Sequence, residues 1–147
     1  MNFLLDTNVV SELRKAKAGK AHPRVVAWAS SVPPASLYLS VITLLELETG
    51  VLQIERRDLA QGALIRAWLD GQVLPAFASR ILPMDTAVAL RCARLHVPDR
   101  LAERDAVIAG VAAARDMPER VRRPGRDRVA LVAVEVVDRE GHVADRR

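Results

Sequence analysis

The first dozen residues constrain this chain more than any other stretch. Phe3-Leu4-Leu5 is wholly apolar, stops at an acid, Asp6, and passes at once to Thr7 and Asn8. An apolar run without polar alternation is the signature of a strand covered on both faces. Asp, Thr and Asn are residue types that accept hydrogen bonds from the first N–H groups of a helix. A carboxylate between a buried strand and a helix falls where an α/β sheet presents its site, outside the carboxyl ends of its strands. An acid gains little for the fold there, since an apolar or small residue is cheaper to place behind a buried strand. Asp6 therefore carries two readings: a functional carboxylate, and a helix start shared with Thr7 and Asn8.

Apolar runs and helical periodicities alternate from that point on. Residues 9–14 read as a short helix and residues 15–22 as a basic, glycine-containing loop, and Pro23 suits the first turn of a helix over 24–30. Leu37-Tyr38-Leu39-Ser40-Val41 is a second strand. Thr43 and Glu46 have the spacing of a capping box, which starts a helix there. A longer helix covers residues 57–69, and residues 74–77 form a turn or a short extended piece. Ile81-Leu82-Pro83-Met84 is a strand ending at Asp85, and residues 86–95 are helical, so apolar run, acid, threonine and helix recur in that order. Residues 106–115 make a helix of small residues, and 129–137 a nearly continuous apolar strand. This alternation predicts an α/β fold, a mostly parallel sheet with helices on both faces. The expected organisation is one domain over residues 1–137, with a basic loop at 118–128 that breaks the pattern, and a polar tail at 138–147.

Composition narrows the chemistry. Cys92 is the one cysteine, so it forms no internal disulfide, and its place in a helical pattern makes it a small buried hydrophobe. No stretch approaches the roughly 20 apolar residues of a membrane helix. Asp6 also interrupts the amino-terminal run too early for a secretory signal. The expected compartment is the cytoplasm, with no membrane partner. The net charge of +4, from 22 Lys plus Arg against 18 Asp plus Glu, is compatible with a nucleic-acid partner without establishing one. His22, His96 and His142 are scattered and share no metal-ligand spacing.

The acids carry the argument further. Asp6, Glu46 and Asp105 all fall where element ends converge on one edge of a parallel sheet. Each also has a local reading: Glu46 as the partner of Thr43 in a capping box, and Asp105 as a first-turn acid favoured by the helix dipole. Glu103 is a cap, a solvated acid or a member of the cluster. Asp85 reads as a plain helix cap, and Glu48, two positions from Glu46, faces the surface. Carboxylates gathered in a cleft repel one another, and a divalent cation relieves the repulsion. Oxygen ligands without a His or Cys cluster favour Mg²⁺ or Mn²⁺ over zinc. Such a site beside basic residues suits phosphodiester hydrolysis by an activated water.

These residues resemble the PIN-domain ribonucleases, specifically the VapC-type toxins of bacterial toxin–antitoxin pairs. The opening Leu4-Leu5-Asp6-Thr7-Asn8-Val9-Val10-Ser11-Glu12-Leu13 resembles the first motif of that family. Leu39-Ser40-Val41-Ile42-Thr43-Leu44-Leu45-Glu46-Leu47 resembles the second, and Asp105-Ala106-Val107-Ile108-Ala109 the third. The likeness covers about residues 2–117. It implies an α/β/α sandwich, a Mg²⁺-dependent endoribonuclease activity and a homodimer. It also implies a small antitoxin that covers the site and through which alone operator DNA is contacted. On the same resemblance Asp6, Glu46 and Asp105 hold the metal, Mg²⁺ or Mn²⁺, and orient the water, and Thr7 or Asn8 steadies the first carboxylate.

The chain departs from the family after Met117. The family has a Thr-Arg-Asn-like element followed shortly by Asp-Phe, which supplies a fourth polar or acidic residue. This sequence reads Glu119-Arg120-Val121-Arg122-Arg123-Pro124-Gly125-Arg126-Asp127, which sets Arg123 at the expected position and leaves Asp127 as the nearest acid. Arg120, Arg122 and Arg126 are candidate RNA phosphate contacts, or simply a solvated basic loop. Two functions of different class follow: a metal-dependent RNase toxin, and a catalytically weak or inactive PIN domain that mainly binds its antitoxin. A phospho-aspartate phosphatase, which also sets an Asp behind a strand, lacks a well-placed lysine here.

Overall fold

The computed structural model describes residues 2–95, 107, 110, 111 and the backbone of 133–136. Its centre is the apolar amino-terminal strand. Among the described residues, strand β1 (Asn2–Leu5) lies inside a sheet of four strands in the order β3-β2-β1-β4. It pairs in parallel with β2 (Leu37–Ser40) and antiparallel with β4 (Ala133–Val136). Strand β3 (Ile81–Leu82) extends β2 in parallel. An interior strand is covered on both faces, and alternate residues point to opposite faces. Leu4 and Leu5 are accordingly both fully buried, in different clusters. Leu5 packs with Val9, Val10, Val25, Leu39, Leu47 and Leu69 on one face, and Leu4 with Val88, Cys92 and Val111 on the other. This is the α/β/α sandwich expected from the sequence, with parallel pairing through β1, β2 and β3.

The helices start and stop where their capping chemistry puts them. Helix α1 (Thr7–Lys15) is capped by Asp6 and runs out through a 3₁₀ turn to Gly19, which holds the left-handed conformation at φ 66°. Helix α2 (Pro23–Ser31) opens on Pro23, whose missing N–H costs nothing in a first turn. Its Trp28 meets Phe3 edge to face at 5.4 Å. The basic loop between α1 and α2 is tied down by Glu12, which accepts the His22 backbone N–H at 2.9 Å and the Lys15 ammonium at 2.6 Å.

Two expectations are corrected here, and a third gains its bounds. The helix expected to begin at a Thr43 cap begins earlier, as α3 (Val41–Arg57), with Ser40 as its cap. The helix expected over 57–69 is present over residues 59–68, as the second arm of a hairpin. Asp58 takes an extended conformation, ends α3, and caps α4 (Leu59–Trp68) by accepting the Gln61 N–H at 2.9 Å. Residues 74–77 are neither a turn nor extended: a π-helical segment, Leu69–Val73, carries α4 into the short helix α5 (Leu74–Phe77). Pro75, which offers no N–H to an α-helical bond, lies just past that widened turn. Arg66 on α4 clamps the hairpin, pairing with Glu48 at 2.7 Å and Glu55 at 3.0 Å on α3.

Helix α6 (Thr86–Leu95) bears out its expected start, with Asp85 accepting the Val88 N–H at 2.9 Å. Cys92 is buried, as expected, and burial pushes its thiol pKa up. Val107, Gly110 and Val111 are helical and stand on the same face of the sheet as α6. There Gly110 comes so close to Cys92 that a Cβ would overlap its sulfur. Of the expected strand at 129–137, residues 133–136 are described and form β4. The loop at 118–128 and the tail at 138–147 lie outside the described residues.

Candidate active site

Parallel pairing of β1 and β2 aligns Leu5 with Leu39, so Asp6 and Ser40 stand side by side just beyond it. Both residues turn a strand into a helix. The Asp6 carboxylate accepts the Val9 N–H at 2.8 Å, and the Ser40 hydroxyl accepts the Thr43 N–H at 3.0 Å. Asp6, Ser40 and Thr43 are all buried. The amino-terminal ends of α1 and α3 therefore open on the same edge of the sheet. The first-turn N–H groups and positive dipole ends of the two helices favour carboxylates there, and equally a phosphate.

Glu46 enters from α3, one turn beyond Thr43. Its carboxylate accepts a short hydrogen bond from the Thr7 hydroxyl, across 39 residues of sequence. That contact joins the first two acids: Thr7 follows Asp6 directly, and Glu46 is held to it. It also settles the local reading of Glu46. With Ser40 as the cap, Thr43 is the third residue of the helix, so Glu46 has no capping box to complete. The sequence alone suggested that Thr7 or Asn8 would steady Asp6. In the structure Thr7 engages Glu46, while Asn8, at the second helical position, is exposed.

The remaining acids separate cleanly. Glu48 points away from this edge to Arg66, whose guanidinium holds its carboxyl below the ordinary value. Asp85 serves as a cap. Asp105, Glu103, Asp127, Arg120, Arg122 and Arg126 lie outside the described residues, as does Arg123. Ser40 and Thr43 were not anticipated as part of the site. The serine–threonine–glutamate spacing of three, placed directly behind a strand, was the signal that could have found them.

Does this edge suit a metal? Among the described residues no group of three acids, histidines or cysteines is placed to hold one. The described donors are two carboxylates, Asp6 and Glu46. Hard oxygen donors of this kind match Mg²⁺ or Mn²⁺ in chemistry, and the third acid expected from the sequence, Asp105, is not among the described residues.

An α/β/α sandwich with acids gathered at the carboxyl edge of its parallel strands defines a class of protein that sequence comparison identifies. The chain belongs to the PIN-domain family, whose pattern matches residues 3–119, in its group of VapC-type toxins. Ribonuclease VapC14 of Mycobacterium tuberculosis (strain CDC 1551 / Oshkosh) is 47% identical over 77 residues, which are 52% of this chain and 72% of that one. Toxin FitB of Neisseria gonorrhoeae (strain ATCC 700825 / FA 1090) is 35% identical over 137 residues, 90% of this chain and 95% of FitB. The crystal structure of FitAcB from Neisseria gonorrhoeae superposes with a TM-score of 0.67 at 35% identity, covering 76% of this chain and 80% of that one. Among the described residues no helix is long and apolar enough to cross a membrane.

Proposed function

We propose that this chain is a Mg²⁺-dependent endoribonuclease, the toxin of a toxin–antitoxin pair, that hydrolyses RNA phosphodiester bonds. The observation that carries the reading is the Thr7–Glu46 hydrogen bond, which brings two carboxylates from distant parts of the chain to one edge. Similarity to a named ribonuclease and to a named toxin supports it. In this reading Asp6 and Glu46, together with Asp105, hold Mg²⁺, with Mn²⁺ as a substitute. A divalent cation bound there supplies Lewis acidity to the phosphate and lowers the pKa of water.

The chain's own groups do the rest. The Val9 N–H fixes the rotation of the Asp6 carboxylate, and the Thr7 hydroxyl fixes that of Glu46. The amino-terminal ends of α1 and α3 draw the phosphate to the same edge and offset the charge of the acids. Asn8, exposed at that edge, is free to meet the substrate. Arg120, Arg122 and Arg126 contact RNA phosphates further along the strand. The protein acts in the cytoplasm as a homodimer. Its antitoxin covers the site and provides the contact with operator DNA.

A second reading has its own observation. The family match stops at residue 119, where the arginine-rich stretch begins and Arg123 replaces the expected polar or acidic residue. On that reading the chain is a weak or inactive PIN domain whose work is binding the antitoxin. Calorimetric titration of the partner-free protein with Mn²⁺, beside Glu46→Gln and with an RNA cleavage assay, separates the two. Binding and cleavage that both fall in Glu46→Gln support the enzyme. A folded wild type that binds no Mn²⁺ and cuts no RNA refutes it in favour of the binding role.

A further inference from the structure

A buried pair of hydroxyls lies behind the two carboxylates. Ser40 and Thr43 have no exposed surface, and their oxygens are 3.0 Å apart. The Thr43 hydroxyl donates to the Leu5 carbonyl at 3.1 Å. A hydroxyl has one proton, so with that proton given to Leu5, Thr43 receives its bond from Ser40. The result is a directed chain, Ser40 O–H to Thr43 Oγ1 and Thr43 O–H to Leu5 O, with the Thr43 N–H closing back on Ser40 Oγ. At zero exposure bulk solvent does not replace a lost bond, and each bond in such a chain polarises the next.

The two ends of this chain matter more than its middle. Leu5 directly precedes Asp6. Thr43 precedes Glu46 by three residues, so both lie on one face of α3 about one turn apart. The bond from Thr43 to Leu5 thus fixes the first turn of α3 against the end of β1. It ties the backbone that carries Glu46 to the backbone that carries Asp6, and the Thr7 hydroxyl holds Glu46 from the α1 side.

We propose that Thr43 is a positioning residue: through Leu5 O and Ser40 it sets the spacing of the Asp6 and Glu46 carboxylates. The proposal rests on the ribonuclease reading for its purpose, though its geometry can be tested without metal. Thr43→Val keeps the shape of the side chain and removes its proton, whereas Thr43→Ser keeps the proton and loses a methyl group. A role in packing predicts that valine is tolerated and serine is not, and the proposal predicts the reverse.

The experiment uses the full chain, free of partner, with two readouts. In metal-free protein, the ¹³C carboxyl resonances of Asp6 and Glu46 should move in Thr43→Val and return in Thr43→Ser. In Mn²⁺ calorimetry, Thr43→Val should bind about tenfold more weakly than wild type, the range known for residues that orient metal ligands, and Thr43→Ser should recover. Carboxyl resonances unchanged in Thr43→Val, or lost affinity that serine does not restore, overturn the proposal. If wild type itself binds no Mn²⁺, the ribonuclease reading fails, and the metal-free resonances still decide the role of Thr43. If Thr43→Val does not fold, Thr43→Ala, which also removes the hydroxyl, is read on the same resonances, where an unchanged spectrum again overturns it.

Discussion

Asp6 performs two tasks that substitution can separate. Its carboxylate accepts the Val9 N–H at 2.8 Å, which caps α1, and it brings a charge to the candidate site. Asparagine can accept the same bond but carries no charge, and at helix caps the two residues rank as equals. Asp6→Asn loses an attraction to the positive end of α1 worth about 0.5 kcal/mol. It recovers part of this because a buried amide costs less to desolvate than a buried carboxylate. Asp6→Ala loses the acceptor as well, at about 1 kcal/mol. In a domain of this size 1 kcal/mol lowers the melting temperature by about 3 °C. The expected outcome is an asparagine variant that melts close to wild type and an alanine variant that melts about 3 °C lower. Both should lose Mn²⁺ affinity and RNA cleavage together. Thermal unfolding followed by circular dichroism, with calorimetry on the same samples, measures both quantities. An asparagine variant as unstable as alanine would show that charge, not capping, holds this turn. One that keeps its Mn²⁺ affinity would remove Asp6 from the site.

The α3–α4 hairpin and the surface carboxylates yield two more tests. At Gly62 a Cβ would lie 2.6 Å from the Glu55 Cα, a backbone atom that cannot rotate away. Gly62→Ala gains up to about 1 kcal/mol of helix propensity. It loses more by forcing α4 off α3, since overpacking costs about 1 to 3 kcal/mol. The variant should melt lower than wild type, and a higher melting temperature would contradict the close approach. Glu12 is held below its ordinary value of 4.5, first by the Lys15 ammonium and next by the His22 N–H, and Glu48 is lowered likewise by Arg66. Because these pKa values are depressed in the folded state, their stabilisation is present above the unfolded value and is lost as pH falls through the folded one. Melting temperature should therefore drop as pH is taken below 4.5, and less steeply in Glu12→Gln. An equal slope in that variant would show that Glu12 contributes nothing to acid sensitivity.

Much of the fold was legible because capping is local. Asp6 with Val9 and Asp85 with Val88 are bonds across three residues, and acid followed by Thr identifies both from the chain alone. The apolar run of β1 announced burial on both faces, and Leu4 and Leu5 divide between two cores accordingly. Local reasoning failed where two local partners competed. Thr43 with Glu46 has a valid capping spacing, but Ser40 lies where β2 ends and takes the cap first. Asp58, which follows Arg56 and Arg57, gave no hint that its backbone would extend and fold α4 back onto α3, where Gly62 lies close against Glu55.

The candidate site divides along the same line. That an acid would stand at the end of β1 follows from the order of residues, since strand, carboxylate and helix former are consecutive. That Glu46 would be joined to it does not, because the bond from Thr7 spans 39 residues. Nor does the antiparallel course of β4 beside β1 follow from an apolar run, which pairs equally well in either direction. The parallel register of Leu5 with Leu39 sets Asp6 beside Ser40, and the buried bond from Thr43 to Leu5 then carries Glu46 into reach. Chain-local chemistry chooses where helices begin. Strand pairing, which acts between segments distant in sequence, chooses which carboxylates meet.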